Sequence, residues 1–211
     1  MAPALLLLAA SLAADPVPPA PAAAPSSRWS LAGGETVAPG RDVFSAEVGW
    51  PSTTFGWTHG LTDYTDAGVR FDVLYAFETT TTTHFGLGLR VPLRAIALRK
   101  DNVSLQVHFD PGFKVYPGDG TPWGFGIPAG GAVGIQVSRE LRLAVGVEVP
   151  MSILFSPAQF VVGTQFGLGA DYFVDRQLLV SLNTRFGPVF SSSGGGGQFG
   201  FVTQVGVGYK M

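Results

Sequence analysis

Beyond Asp42 the chain alternates apolar and non-apolar residues with a period of two, and that period admits β-strands and little else. Between positions 84 and 98, Phe85, Leu87, Leu89, Val91, Leu93, Ala95 and Ala97 are all apolar, whereas the other parity reads His84, Gly86, Gly88, Arg90, Pro92, Arg94, Ile96 and Leu98. Val69, Phe71, Val73, Tyr75 and Phe77 oppose Arg70, Asp72, Leu74 and Ala76 in the same way, and Val103, Leu105, Val107 and Phe109 oppose Ser104, Gln106, His108 and Asp110. The split recurs over 123–138, 141–155, 159–174, 178–190 and 198–211, with two shorter stretches at 43–50 and 53–59. The pattern predicts an all-β domain of about ten strands, within a range of about eight to twelve.

The connections are of two kinds that take turns. Tight, charged ones fall at 62–66, 99–102, 138–140 and 174–177; neutral ones rich in Thr, Ser, Gly and Pro fall at 51–52, 78–83, 117–121, 156–158 and 191–197. Strict alternation is what an up-and-down antiparallel meander produces, because successive hairpins lie at opposite ends. With an even strand count both termini share the charged end.

Composition decides which face is expected outside. Of 211 residues, 46% are apolar and 13% charged; 29 are glycine, none is cysteine, and the net charge is −2. These values exclude a disordered chain, a polyanion-binding surface, a disulfide framework and thiolate metal sites. Disregarding residues 1–14, no apolar run reaches the length of about 18 residues that a spanning helix needs. A water-soluble barrel would carry Lys, Glu, Asp and Arg on its polar parity. Here that parity is mostly glycine, including Gly86, Gly88, Gly124, Gly126, Gly146, Gly163, Gly167, Gly169, Gly206 and Gly208. It suits a narrow interior, where Glu47, Arg70, Asp72, Arg90, Arg94, His108, Asp110, Arg142, Glu148, Asp171 and Arg185 are predicted to form a network of paired charges. Phe77, Phe85, Trp123, Phe155, Phe160, Phe190 and Phe199 flank the neutral loops on the apolar parity and are predicted to form an aromatic girdle, with Tyr172 and Tyr209 toward the other end. Pro92, Pro128 and Pro150 lie within strands, and bulges are predicted there.

Residues 1–14, MAPALLLLAASLAA, read as a secretory signal peptide, with a short anchoring helix as the alternative. Residues 15–41 begin with a nearly pure Pro/Ala tract and read as an extended periplasmic linker, so that the folded domain spans 42–211 and packing begins near Gly40.

The last strand, QFGFVTQVGVGYKM, places Phe199, Phe201, Val205, Val207, Tyr209 and Met211 on one side. It resembles the C-terminal signal strand of small bacterial outer-membrane β-barrel proteins, with Met211 where Phe or Trp is usual. Gly60-Leu61-Thr62-Asp63 and Asp175-Arg176-Gln177 resemble the periplasmic turns of such proteins. The resemblance implies a transmembrane, porin-like β-barrel in the bacterial outer membrane, with outer-membrane lipid as its surroundings. It also implies recognition by the barrel assembly machinery through the C-terminal strand, at Tyr209 and Met211. On this reading the role is structural, interactive or that of a narrow channel, because about eight to ten strands enclose little more than their own side chains.

Few residues carry chemistry. His59 and His84 sit beside turns. His108, Asp110 and Ser104 share one parity, and a His with an acid and a hydroxyl defines the alternative of an outer-membrane hydrolase acting on lipid or peptide. A further alternative is a soluble, secreted, lipocalin-like protein that binds an apolar ligand inside. Gly167-Leu168-Gly169 and Gly206-Val207-Gly208 lie within strands and are not dinucleotide motifs. Asp119 alone is too few oxygens for calcium. Basic residues interleaved with aromatics are missing, so nucleic acid is not expected as a partner. A non-enzyme without metal or cofactor is expected.

Overall fold

The structure, a computed structural model, describes residues 29–76, 83–118, 121–155, 158–192 and 197–211. The leader at 1–14, residues 15–28 of the linker, Phe77 and parts of the neutral loops at 78–82, 119–120 (with Asp119), 156–157 and 193–196 lie outside the described residues.

The chain is all-β, with antiparallel pairing throughout. Five strands run unbroken: β1 (Asp42–Trp50), β2 (Ser52–Gly60), β3 (Thr65–Ala76), β14 (Leu178–Ser191) and β15 (Gly197–Lys210). Every other stretch of alternation divides in two. The first gives β4 (Thr83–Arg90) and β5 (Leu93–Lys100), and the next gives β6 (Val103–Phe109) and β7 (Gly112–Val115). Then follow β8 (Trp123–Gly126) with β9 (Ala129–Gln136), β10 (Leu141–Val149) with β11 (Met151–Phe155), and β12 (Gln159–Gly163) with β13 (Gln165–Phe173).

The divisions have a chemical cause. Pro92, Pro111, Pro128 and Pro150 stand in four of them, and proline has no amide to give to a ladder. Their carbonyls still accept hydrogen bonds, from the amides of Gly68, Val91, Asp110 and Gly163. The breaks therefore line up as a row across neighbouring strands. Bulges predicted at Pro92, Pro128 and Pro150 are full interruptions, while register shifts fall instead between Leu74 and Ala76 and between Ile96 and Leu98.

Pairing closes at two levels. Toward the neutral loops the ring runs β12-β11-β8-β7-β4-β3-β2-β1-β15-β14 and returns through β12–β14; toward the charged turns it runs β3-β2-β1-β15-β14-β13-β10-β9-β6-β5 and returns through β3–β5. Only β1, β2, β3, β14 and β15 belong to both rings. This corrects the expected up-and-down transmembrane barrel of about ten uninterrupted strands: fifteen strands form among the described residues, and their ring does not stand evenly round an axis. The outer-membrane location, the transmembrane passage and the porin-like channel or plug rested on that regular barrel, and they fall with it. Among the described residues no helix is long and apolar enough to cross a membrane.

Side-chain direction follows the strand period. Phe44, Phe55, Phe71, Leu89, Phe125, Val145 and Phe201 point out and are exposed, whereas Glu47, Thr54, Asp72, Gln106, Arg142, Gln165 and Asp171 point in and are buried. Two apolar clusters close the interior. Leu74, Tyr116 and Leu154 lie toward the neutral loops; Trp29, Leu31, Val37, Val43, Phe173 and Leu179 lie toward the charged turns.

Half of the second cluster comes from the stretch read as a linker. Residues 29–37 form a strap without regular secondary structure that crosses the interior near the charged turns, with Trp29, Ser30, Thr36 and Val37 almost fully buried. Inner-face glycines make room for it. A Cβ on Gly169 would stand 2.6 Å from Cβ of Ala32, one on Gly208 would stand 2.7 Å from the Trp29 ring, and one on Gly134 would stand 3.0 Å from Cα of Gly34.

Candidate functional site: the charged interior

Ion pairs join strands across the inner face, some of them paired with each other and others with one strand between them. Arg90 of β4 grips Asp72 of β3 with two hydrogen bonds, Nε to Oδ2 at 2.7 Å and Nη2 to Oδ1 at 2.6 Å. Arg94 of β5 grips Asp66 of β3 in the same two-pronged way, both bonds being 2.8 Å, and its Nη1 donates to the Ser30 carbonyl of the strap. Arg70 of β3 lies 3.6 Å from Glu47 of β1. Arg185 of β14 donates to Glu148 of β10, and His108 Nε2 of β6 lies 3.4 Å from the same carboxylate. Two-pronged geometry matters here, because a buried pair offsets its desolvation only when its hydrogen bonds are well made.

Ionisation follows these contacts. Burial works to raise the Glu148 pKa, but Arg185, then His108 and Arg90, outweigh it and bring the value from 4.5 to about 2. Burial likewise opposes ionisation of Asp72, and the Arg90 guanidinium, with Thr54 and Arg70, holds it below the ordinary carboxylate value. Asp171 goes the other way. Burial pushes its carboxyl up, against hydrogen bonds from Ser30, Ser181 and the Ala32 amide.

These side chains enclose space. A cavity of about 80 Å³ is lined by Glu47, Arg70, Arg90, Arg94, His108, Asp110, Glu148 and Arg185, with Leu31, Ala32 and Gly33 of the strap as one wall. A second, of about 50 Å³, lies toward the neutral loops and shares Arg90, Glu148, Arg185 and Gln204 with the first. A third, of about 110 Å³, lies at the charged-turn end against Glu35, Arg99, Asp101, Asn102, Ser104, Gln136 and Arg142.

No family model matches the chain, and no curated protein does. The site therefore has to be read from its own geometry.

The structure brings Glu47, Arg70, Asp72, Arg90, Arg94, His108, Glu148 and Arg185 into neighbouring pairs, with Asp110 close enough for its charge to act on Arg94. Arg142 and Asp171 face the strap, the former toward Glu35 and the latter toward Ser30. The arrangement expected of a hydrolase is not formed. His108 turns to Glu148, Oδ1 of Asp110 has no hydrogen-bond partner, and the Ser104 hydroxyl donates to the Gly34 carbonyl. Among the described residues no group of His, Asp and Glu is placed to hold a metal ion. His59 pairs with Asp42 at 2.9 Å near the surface, and His84 lies against the Tyr116 ring.

On the outer face Phe85, Trp123, Phe160, Phe190 and Phe199 are exposed, and Phe155 packs on Trp123 with ring centroids 4.6 Å apart. Tyr209 and Met211 are exposed, and the Met211 amide donates to the Asp42 carbonyl.

Sequence reasoning missed Asp66, Glu35, Ser30 and Trp29. Asp66 falls in the tight, charged connection at 62–66 by its sequence, yet it belongs to β3 and is buried against Arg94. The others sit in a stretch whose Trp29, Gly33-Gly34 and Glu35 differ from the preceding Pro/Ala tract, and that change of composition was the available signal.

Proposed function

We propose that this is a non-catalytic binding protein whose interior holds a small solute bearing both signs of charge. The observation that carries this reading is the lining of the interior cavity of about 80 Å³, which brings together the guanidinium groups of Arg70, Arg90, Arg94 and Arg185 and the carboxylates of Glu47, Asp110 and Glu148. Such a surface favours a zwitterion over a hydrocarbon, because an apolar guest would displace water from charged groups and return no hydrogen bond or opposite charge. The apolar ligand of the lipocalin-like alternative is thereby replaced by a polar one. Binding, not turnover, is favoured because His108 lacks a hydroxyl to activate.

Lipid hydrocarbon is the partner we assign to the outer face. Large apolar side chains such as Phe44, Val48, Phe71, Val145, Leu182 and Val205 are exposed on strand after strand and form no single bounded patch. A docked protein would cover a bounded patch, whereas a lipid surface can meet exposed apolar side chains wherever they lie. The apolar leader at 1–14 supports export from the cytoplasm.

Calorimetric titration with glycine, betaine and the apolar probe N-phenylnaphthylamine tests the interior. Saturable heat with the zwitterions that is lost in Arg90→Gln is expected. Displacement of the apolar probe from the interior, with no zwitterion response, would sink the reading. For the outer face, flotation with phospholipid vesicles is expected for the wild type and weakened in a variant carrying Val145→Glu and Leu182→Glu.

A further inference from the structure

Glu35 sits between two arginines that are held in place without it. Its Oε1 accepts from Nη2 of Arg99, and its Oε2 lies 3.4 Å from Nη1 of Arg142. Arg99 is independently anchored on the Asp63 carbonyl, through Nη1 and Nη2 at 3.1 Å, and its guanidinium stands 5.3 Å from the centre of the Tyr64 ring. Arg142 is anchored on Oε1 of Gln136, through Nε at 3.0 Å and Nη2 at 2.8 Å. A clamp fixed by other contacts is preorganised for whatever carboxylate or phosphate enters it. Glu35 shows which chemistry the clamp accepts, and the cavity of about 110 Å³ beside it has room for an oxyanion from outside.

The residue that fills the clamp follows two glycines in the strap. Gly33 and Gly34 have φ of 110° and 86°, a region that glycine enters freely. The Gly34 amide donates to Gln106 at 2.7 Å, and its carbonyl accepts from Ser104. Gln106 and Gly33 line the interior cavity, whereas Ser104 and Glu35 line the cavity at the charged turns. Gly34 is thus the partition between the two spaces.

We propose that Arg99 and Arg142 form a binding site for a small external oxyanion, a carboxylate or a phosphate, which replaces Glu35 and draws residues 33–35 aside, joining the outer cavity to the interior. With Glu35 in place, the two guanidinium groups share the outer cavity with the carboxylates of Glu35 and Asp101; once Glu35 leaves, the site gains one net positive charge for the incoming anion. Only the consequence for access rests on the interior-binding reading. Failure of the glycine titration would leave the clamp standing, and failure at the clamp would leave the interior site standing.

The test uses the full chain at constant ionic strength, with inorganic phosphate and acetate against chloride. Glu35→Gln empties the clamp of its internal carboxylate, and phosphate is expected to bind this variant at least tenfold more tightly than the wild type. Arg142→Gln added to it is expected to abolish that gain. In the wild type, phosphate is expected to speed hydrogen exchange of the Gly34 amide at least tenfold over chloride. This second measurement decides alone if the variant does not fold. Equal effects of phosphate and chloride on exchange would overturn the proposal, and so would tight binding to Glu35→Gln without faster Gly34 exchange in the wild type. Micelles carrying phosphatidate form the last arm. A response to them and not to the free ion assigns the oxyanion to a lipid headgroup; a response to the free ion assigns it to a solute.

Discussion

Arg185 on β14 donates its Nη1 to the Glu148 carboxylate on β10, and that pair ties together strands that are not neighbours, since β13 lies between them. His108, on β6, approaches the same carboxylate from the other side. Removing the charge from Glu148 takes the carboxylate away from the half-buried Arg185 guanidinium, and breaking a buried pair costs about 3–5 kcal/mol. Glu148→Gln is therefore expected to lower unfolding stability by that amount in urea titrations at pH 7. A loss below about 1 kcal/mol would show that solvent screens the pair.

The pH dependence of this contribution has a definite sign. The folded pKa of Glu148, about 2, lies below its ordinary 4.5, so the stabilisation is present above 4.5 and lost as pH falls toward 2. The shift corresponds to about 3 kcal/mol. The stability advantage of wild type over Glu148→Gln is expected to shrink between pH 5 and 2, measured by urea unfolding at each pH.

Asp171 is expected to behave oppositely. Burial raises its folded pKa above 3.8, so its favourable contribution is complete below 3.8 and declines as pH rises through the folded value. The stability of wild type relative to Asp171→Asn should therefore fall between pH 4 and 7. A rise over that interval would contradict the raised pKa.

Trp29 anchors the strap. Its ring is fully buried and meets Phe173 edge-on at 6.0 Å. Trp29→Ala is expected to cost about 3–5 kcal/mol, the range for deleting a large buried aromatic. It should also expose the strap to proteolysis near Ser30. Unchanged protease resistance would show that Ser30, Glu35 and Val37 suffice to hold it.

Gly169 and Ala32 compete for one volume. Gly169→Ala would bring two Cβ atoms to about 2.6 Å, and overpacking of this kind costs about 1–3 kcal/mol. Ala32→Gly in the same chain is expected to recover most of the loss, as a double-mutant cycle of thermal stabilities would show. Additive effects would mean that the strap does not lie against β13 at this point.

The strands were legible because alternation is local: each side chain takes its face from its position along one extended segment, as Phe85 to Ala97 show. The prolines were legible as missing donors for the same reason. What Pro92, Pro111, Pro128 and Pro150 do together was not legible, since their alignment depends on the register of different strands. Interior charges such as Arg90 and Glu148 were marked by standing on a glycine-rich parity. Their partners were less visible: Arg94 takes Asp66 from a segment read as a turn, and Arg142 takes Glu35 from one read as a linker.

By itself the sequence determined an all-β, antiparallel chain with apolar residues on one parity and glycine and charge on the other. Whether the ring would be regular, and where residues 29–37 would go, was decided only by tertiary structure. Both depend on contacts between segments far apart in the chain, whose close approach no local pattern records. The inner-face glycines had suggested a narrow interior filled by paired charges alone; Gly134, Gly169 and Gly208 are small because the chain's own strap lies against them.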